Sequence, residues 1–290
     1  MEPTPLRITT IEGNRQWLDG GSMFGNAPRA LWTRWHQPDG QGRIELACRC
    51  LLVETGEQRI LLETGIGAFF PPEMAGRYGV QEKEHRLLTG LAGAGTRHED
   101  IDAVILSHLH FDHAGGLLEA FRTGTEPALL FPRAKFYTSR RAWERACRPH
   151  LRDRASFIPA IQEQLQASGR LRLVDSPRVD ELPGFEFIFS DGHTPGLMLT
   201  LIRGSRRRLM FCGDLIPGLS WVHLPVTMGY DRYPEQVIDE KQALYERADG
   251  QDWLFFFTHD PVNGLAGIAR DEKGRYAAVK PQAGCAGMIL

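Results

Sequence analysis

Four metal-binding side chains occupy six consecutive positions of this chain: His108, His110, Asp112 and His113. Polar groups packed this densely must find partners or remain in water, so the segment constrains the fold around it. Immediately upstream, residues 101–106 end in an apolar, partly β-branched run that is typical of a buried strand. The sequence therefore predicts a strand that delivers a cluster of potential metal ligands at its carboxyl end.

The spacing inside this cluster indicates room for two ions. On an extended or irregular backbone, His108 and His110 point the same way because side chains alternate with a period of two. Asp112 and His113 then address a neighbouring point, about one metal–metal spacing away. Two glycines follow and allow a sharp turn, and the apolar residues after them predict a helix between residues 113 and 121. A solvated histidine-rich turn is the less favoured alternative.

Three later strand patterns also end in residues that can bind metal. The patterns at 184–190, 208–212 and 252–258 lead to His193, Asp214 and His259, respectively. Taken singly, each of these residues has an ordinary explanation as a hydrogen-bonded histidine or a turn residue. Together with the first cluster, they predict that metal ligands gather along one edge of the sheets.

These segments, in this order, resemble the metallo-β-lactamase superfamily of dinuclear metallohydrolases. The resemblance implies a predicted ligand set with His108, His110 and His193 on one metal, Asp112, His113 and His259 on the other, and Asp214 bridging. Residues 61–65 also resemble an early strand-end segment of the family, which usually carries Asp where this chain has Glu63. We expect Glu63 to orient a ligand, with one more methylene than the usual residue.

The resemblance and the donor types imply two divalent metal ions. Nitrogen and oxygen donors favour zinc, while manganese, cobalt, nickel and iron remain open. Water between two such ions loses a proton near neutral pH, which implies a metal-bridging hydroxide as the nucleophile. We expect Asp112 and Asp214 to be the catalytic residues, with Asp214 as the bridging ligand and Asp112 as a proton shuttle or as a ligand alone.

The substrate is constrained by residues 17–32, which resemble the opening of the lactonase-like and organophosphate-hydrolase-like branch. The apolar side chains of this segment either line a cleft or belong to the core. The expected function is hydrolysis of an ester-type bond, a lactone first, with a phosphotriester or aryl ester as the alternative. Two alternatives belong to other classes: a mononuclear-iron dioxygenase-type oxidoreductase and a metal-stabilised binding protein without turnover.

Related lactonases often place a Tyr shortly after the bridging Asp, to hydrogen-bond the substrate carbonyl. Residues 215–219 of this chain contain no Tyr. We therefore expect Tyr230 or Tyr233 to take that role from a loop. His223 is a further candidate for the cleft wall.

Strand patterns at both ends of the chain, with helical patterns between them, indicate an α/β (α+β) fold, a four-layer αββα sandwich of the metallo-β-lactamase type. Because the predicted ligand set must converge, we expect a single domain over residues 1–290. Residues 45–54 and 59–63 form a hairpin pattern. Residues 139–168 combine helical patterns with many arginines and predict a substrate lid, a dimer contact or a solvated face.

Charge and cysteine content narrow the partners and the compartment. Lys and Arg number 34 against 36 Asp and Glu, so the net charge of −2 provides no basic field to attract nucleic acid. The five cysteines lack the spacing of a disulfide framework, and we interpret Cys48 and Cys50 as small buried thiols on one strand face. With no signal pattern and no membrane-spanning window, we expect a cytoplasmic protein. Its expected partner is a small-molecule ester or lactone, and a homodimer remains open.

Overall fold

The computed structural model describes residues 6–290. The strands in chain order are β1 (Arg7–Ile11), β2 (Gln16–Asp19), β3 (Arg43–Leu46), β4 (Cys50–Glu54), β5 (Arg59–Leu62), β6 (Ala103–Ile105), β7 (Lys135–Ser139), β8 (Leu171–Val174), β9 (Phe185–Ser190), β10 (Leu197–Arg203), β11 (Arg208–Phe211), β12 (Trp253–Phe256), β13 (Leu265–Arg270), β14 (Tyr276–Gln282) and β15 (Met288–Ile289). The helices are α1 (Gly20–Phe24), α2 (Arg29–Trp32), α3 (Pro72–Arg77), α4 (Arg86–Gly93), α5 (Phe111–Ala114), α6 (Arg140–Cys147), α7 (Pro159–Ala167) and α8 (Pro234–Ala248).

Two large sheets carry most of these strands. The first has the order β15-β1-β4-β5-β6-β7-β8, and the second has the order β14-β13-β12-β11-β10-β9. Strands β5 to β8 run parallel to one another, and β11 runs parallel to β12. Strands β9 and β11 both pair antiparallel with β10, so they share a direction. The ends of β6, β9, β11 and β12 are therefore the places from which the predicted ligands leave the sheets.

The sheets face each other across a buried apolar layer. Ile60 and Ile105 of the first sheet belong to one cluster with Phe187, Phe211 and Phe256 of the second. Each of these residues is at most 1 % exposed. Burying a side chain of this size contributes roughly 1.5–3 kcal/mol relative to its exposed state, so this layer is a principal source of stability.

The outer faces of both sheets are covered by helices. On the first sheet, Leu61 and Val104 point outward because side chains alternate along a strand, and they join a cluster with Leu91 of α4, Ala146 of α6 and Ile161 of α7. On the second sheet, the outer face packs against α8 through an apolar cluster that includes Tyr245. The layers follow the order helix, sheet, sheet, helix, which confirms the predicted αββα sandwich of the metallo-β-lactamase type.

The predicted helix between residues 113 and 121 is wrong in its bounds. Helix α5 begins earlier, inside the histidine cluster, and the chain continues as a 3-10 turn at Gly115–Leu117. The two glycines explain the interruption: a Cβ on Gly116 would lie 2.0 Å from the carbonyl oxygen of Thr64. The backbone there passes too close to the strand-end segment for any larger residue, and a regular helix does not continue through this turn.

The predicted hairpin of residues 45–54 is also wrong in part. Residues 45 and 46 belong to β3, which pairs with β2 in a separate two-stranded sheet, and only β4 pairs with β5. The break occurs because the Arg49 N–H donates to the Thr258 carbonyl at 2.9 Å, next to the end of β12. Cys48 consequently lies outside β4, although it is buried as expected. Within residues 6–290, the helices include none that is both long and apolar enough to cross a membrane.

Candidate metal centre

The predicted ligand set comes together at one edge of the two sheets. His108 follows β6, and the short helix α5 turns Asp112 and His113 toward the same point. His193 follows β9, and His259 follows β12. Because these strands share directions within their sheets, their carboxyl ends present side chains to a common space.

Two groups of donor atoms lie side by side in this space. The ligand atoms of His108, His110, His193 and Asp214 lie within 4.8 Å of one another. The same holds for Asp112, His113 and His259. These groups match the two halves of the predicted ligand set. That the set binds metal stays a prediction.

Asp214 lies between the two groups. Its Oδ2 is 3.3 Å from Nε2 of His193 and 4.0 Å from Nε2 of His108. Its Oδ1 is 3.1 Å from Nε2 of His113 and 3.2 Å from Nε2 of His259. Each carboxylate oxygen thus faces a different group of imidazoles, as a bridging ligand requires.

The donor atoms fit divalent ions. Nε2 of His108 is buried and has no hydrogen-bond partner among the residues that the structure describes. Nε2 of His193 and Nδ1 of His110 are 3.3 Å apart, and Nε2 of His259 and of His113 are 3.1 Å apart. Ligands about 2.0–2.1 Å from a tetrahedral ion have a similar separation. Buried polar atoms that converge without partners are costly unless a cation satisfies them.

The outward nitrogen of several histidines is held by a neighbouring group. Nδ1 of His193 lies 2.8 Å from Asp231, and Nδ1 of His259 lies 2.7 Å from the carbonyl oxygen of Ala47. Ring N–H donation to these oxygens leaves Nε2 free to face the centre. This arrangement sets both the tautomer and the orientation of the ring.

Glu63 occupies a buried position behind His113. One of its carboxylate oxygens accepts a hydrogen bond from the Ser107 N–H at 2.9 Å and lies 3.7 Å from Nδ1 of His113. Its backbone has a φ of 64°, which is uncommon for a residue other than glycine. The longer side chain therefore reaches the neighbourhood of His113 and the segment that carries His108.

The charges of the centre favour an ionised carboxylate among imidazoles. Burial, followed by the neighbouring histidines, holds the pKa of His108 and of His110 well below the usual range. Burial also disfavours the charged forms of His113 and His259, but neighbouring groups, Asp214 first, together outweigh it and raise their pKa values. The pKa of Asp214 is lowered well below its usual range, because its histidine neighbours outweigh its burial. A metal ion binds neutral imidazole, so it would compete with protons for His113 and His259.

A cavity of about 420 Å³ opens over the centre. It is lined by Leu18, Met23, Arg77, Tyr78, His110, Phe111, Asp112, Arg152, Asp153, Ala155, Ser156, His193, Asp214, Met228, Gly229, Tyr230 and His259. The residues that could contact a substrate thus come from the N-terminal segment, the end of α3, the segment after α6 and the loop before α8.

The N-terminal segment serves both of its expected roles. Met23 lines the cavity, whereas Phe24 and Trp32 are buried in the core. Phe24 stacks on Trp221 with ring centroids 4.4 Å apart. The cleft interpretation therefore holds for Met23, and the core interpretation holds for the two aromatic residues.

Among the two tyrosines expected near the substrate, Tyr230 lines the cavity. Tyr233 directly precedes α8 and is 51 % exposed. His223 is exposed, and its backbone carbonyl accepts a hydrogen bond from Lys241. Burial, with a smaller contribution from the Asp112 carboxylate, raises the pKa of Tyr230. The hydroxyl of tyrosine is protonated at neutral pH with or without this shift.

Two residues of the site carried no recognisable signal in the sequence. Gln16 donates to Oδ2 of Asp112 at 2.9 Å, and Asp231 binds His193 from a loop. Each of these contacts joins residues far apart in the chain, and no local spacing pattern reveals such a pair.

The sequence of this chain is similar to those of known proteins. The sequence model of the family described as the metallo-beta-lactamase superfamily matches residues 43–259. An N-acyl homoserine lactonase of Bacillus cereus is 25 % identical over 179 residues, which cover 58 % of this chain and 62 % of that enzyme. The chain thus spans less than two thirds of the length of this curated relative.

Two solved structures share the fold over nearly the whole chain. A probable metal-dependent hydrolase from Staphylococcus aureus is 25 % identical, with a TM-score of 0.84 and coverage of 96 % of this chain and 98 % of that one. A dizinc quorum-quenching lactonase, solved with a product, is 23 % identical, with a TM-score of 0.71 and coverage of 96 % and 95 %.

Proposed function

The chain belongs to the metallo-β-lactamase superfamily, and on that premise we propose that it is a dinuclear metal-dependent hydrolase of an ester-type bond, with a lactone as the first candidate. The observation that carries the proposal is the position of Asp214, whose two oxygens face two separate groups of imidazoles. We propose that the predicted ligand set holds two divalent ions there, zinc first. The lactonase among the curated relatives supports the choice of a lactone.

Two bound divalent ions would supply Lewis-acid chemistry, lowering the pKa of water toward about 7 and polarising a substrate carbonyl. The residues of the chain supply the positioning and the proton transfer. Asp112 lines the cavity, is held by Gln16, and has an oxygen 3.7 Å from Nε2 of His259. From this position its carboxylate can accept a proton from the attacking water and return it to the leaving alkoxide oxygen.

Tyr230 is the proposed hydrogen-bond donor to the substrate carbonyl. It lines the same cavity as Asp112, and its phenol is protonated at neutral pH and therefore able to donate. A hydroxyl that donates to the developing negative charge on the carbonyl oxygen lowers the barrier to attack. This assigns to a loop residue the role that related lactonases give to a Tyr near the bridging Asp.

An aryl ester or a phosphotriester is the alternative substrate on the same site. Leu18, Met23 and Met228 form an apolar part of the cavity wall that can accept an aromatic leaving group. A cytoplasmic location, a homodimer and the lack of a nucleic-acid partner remain predictions from the sequence.

A hydrolysis screen tests the proposed function. Metal-loaded protein is assayed against acyl-homoserine lactones, simple lactones, aryl esters and a phosphotriester, beside the Asp214→Ala variant and a surface control, Asp239→Asn. We expect turnover of at least one lactone or ester by the wild type and the control, and loss of turnover in Asp214→Ala. Full activity of Asp214→Ala, or no hydrolysis of any substrate by the wild type, would contradict the proposal.

A further inference from the structure

We propose that the substrate of this site carries an anionic group, a carboxylate or a phosphate, which Arg77 and Arg152 bind at the entrance of the cavity. This inference rests on the proposed function, because it names the class of ester or lactone that the same cavity accepts. Both arginines line the cavity over the predicted ligand set. Both are exposed, so they lie where the cavity opens to solvent.

Two hydrogen bonds connect the segments that carry these arginines. The hydroxyl of Tyr78, the residue after Arg77, donates to the carbonyl of Ala155 at 3.1 Å. Arg152 donates from Nη2 to the carbonyl of Gly229 at 2.7 Å. The end of α3, the segment after α6 and the loop before α8 therefore form one continuous rim, and Arg77 and Arg152 each bring a guanidinium to the cavity from this rim.

The guanidinium groups of this rim are not neutralised by the protein. Within residues 6–290, neither has a carboxylate oxygen within 4.0 Å. On the neighbouring helix α6, by contrast, Arg140 pairs with Asp175 at 2.8 Å and Arg141 pairs with Asp191 at 2.5 Å. An arginine whose charge is left uncompensated inside a binding cavity is available to an anionic ligand.

The acidic residues of the cavity are already engaged. Asp153 receives two hydrogen bonds from Arg145, at 2.9 and 2.6 Å. Asp112 and Asp214 belong to the predicted ligand set, where bound cations would more than offset their charge. With two divalent ions bound, the charges of the ions and of the lining residues would sum to a positive value, to which Arg77 and Arg152 contribute.

The geometry of guanidinium selects carboxylates and phosphates as partners. Its planar array of donors binds two oxygens at once, and such charge-assisted hydrogen bonds are about twice as strong as neutral ones. A substrate with its scissile carbonyl at the metal centre and an anionic substituent at the rim would use both ends of the cavity. A neutral acyl-homoserine lactone has the scissile carbonyl but lacks the anionic substituent.

A matched series of esters tests the inference. The substrates are 4-nitrophenyl hydrogen glutarate, its uncharged primary amide, and an analogue with a phosphonate in place of the carboxylate, all with the same leaving group. For metal-loaded wild type we expect kcat/KM to be about tenfold or more higher for a charged ester than for the amide, mainly through KM. The better of the two charged esters identifies the anionic group.

Two variants locate the effect. Arg77→Gln changes an exposed side chain on α3, and we expect it to lower the charged-to-neutral ratio of kcat/KM by about tenfold. Arg152→Gln should lower the same ratio, but it also removes the hydrogen bond to the Gly229 carbonyl. If Arg152→Gln proves unstable, the result for Arg77→Gln alone decides the test. Arg154→Gln is the matched control, an exposed arginine of the same segment, and should leave activity and ratio unchanged.

Equal kcat/KM values for the charged and neutral esters, or a ratio that Arg77→Gln does not lower, would overturn the inference while the hydrolase proposal stands. If none of the esters is hydrolysed, the proposed ester hydrolysis is wrong, and anion binding must be tested without turnover. Calorimetric titration with glutaramate, which carries one carboxylate, provides that test. Binding that Arg77→Gln weakens about tenfold supports it, and absent binding or binding unchanged in Arg77→Gln overturns it.

Discussion

The Asp231 carboxylate lies 2.8 Å from Nδ1 of His193, on the side of the ring opposite the metal centre. Its other oxygen accepts a hydrogen bond from the Met228 N–H at 2.7 Å. Asp231 is 2 % exposed, so both bonds are made away from water. One side chain therefore orients a predicted metal ligand and also fixes the loop that brings Tyr230 to the cavity.

Replacing Asp231 should weaken metal binding without removing a ligand. In Asp231→Asn the side chain no longer carries the charge that stabilises the Nδ1–H tautomer of His193. We expect metal affinity to fall by about 10- to 100-fold, the usual cost of losing such a partner. Competition with a chromogenic chelator measures the affinity, and Asp239→Asn on the exposed side of α8 is the control. An unchanged affinity would show that His193 needs no such support.

Glu63 should contribute to stability and to metal affinity through different atoms. Glu63→Ala leaves the buried Ser107 N–H without an acceptor, and we expect a loss of about 1–3 kcal/mol in the free energy of unfolding. Glu63→Gln keeps an acceptor oxygen but removes the charge facing His113, so it should retain stability and lose metal affinity. Urea unfolding of the two variants separates these effects. Equal stability of wild type and Glu63→Ala would refute the proposed contribution of Glu63 to stability.

Lys241 should make stability depend on pH. Its ammonium is buried and donates to the carbonyls of His223 and Val226, and burial lowers its pKa from 10.5 to about 7. Between these two pH values the unfolded chain binds a proton that the folded chain does not, so the contribution of Lys241 to stability rises with pH. Below pH 7 both states are protonated, and the contribution is constant.

The comparison of wild type with Lys241→Met isolates this contribution. We expect the free energy of unfolding of the wild type, minus that of Lys241→Met, to increase as the pH rises from 7 to 9. The increase is up to about 1.4 kcal/mol per pH unit. Urea unfolding at pH 7, 8 and 9 measures it. A difference that stays constant over this range would mean that Lys241 remains charged in the folded protein.

Metal removal should destabilise the protein. If the ions bind the folded state alone and are present at about 1,000 times their dissociation constant, each adds about 4 kcal/mol to the free energy of unfolding. A chelator should remove this contribution from the wild type and have little effect on Asp214→Ala. Thermal unfolding with and without chelator measures both. Equal melting temperatures of wild type in the two conditions would argue against metal binding by the folded chain.

The strands and the residues that end them could be read from the sequence because both signals are local. An apolar run followed directly by His108 or His259 specifies a buried strand and a polar strand end within ten residues. The bounds of α5 could not be predicted, since they depend on the approach of Thr64 to Gly116 from a distant part of the chain. The helical pattern after His113 was overruled by this tertiary contact.

The supporting residues of the site were beyond sequence reasoning for a similar reason. Asp231 lies 38 residues from His193, and Gln16 lies 96 residues from Asp112. Neither spacing belongs to a local pattern. The sequence also could not show which of Tyr230 and Tyr233 lines the cavity, because that depends on the path of the loop before α8. Hydrogen bonds from the Lys241 ammonium and to the Asp231 carboxylate hold this loop in place.

The proposed function requires two divalent ions with Asp214 between them. Elemental analysis of protein purified without chelator, with Asp214→Ala purified in parallel, measures how many ions are bound. We expect about two zinc, manganese or cobalt ions per chain in the wild type and a clear loss in the variant. One iron per chain with oxygen uptake and no hydrolysis, or metal content unchanged in Asp214→Ala, would contradict it.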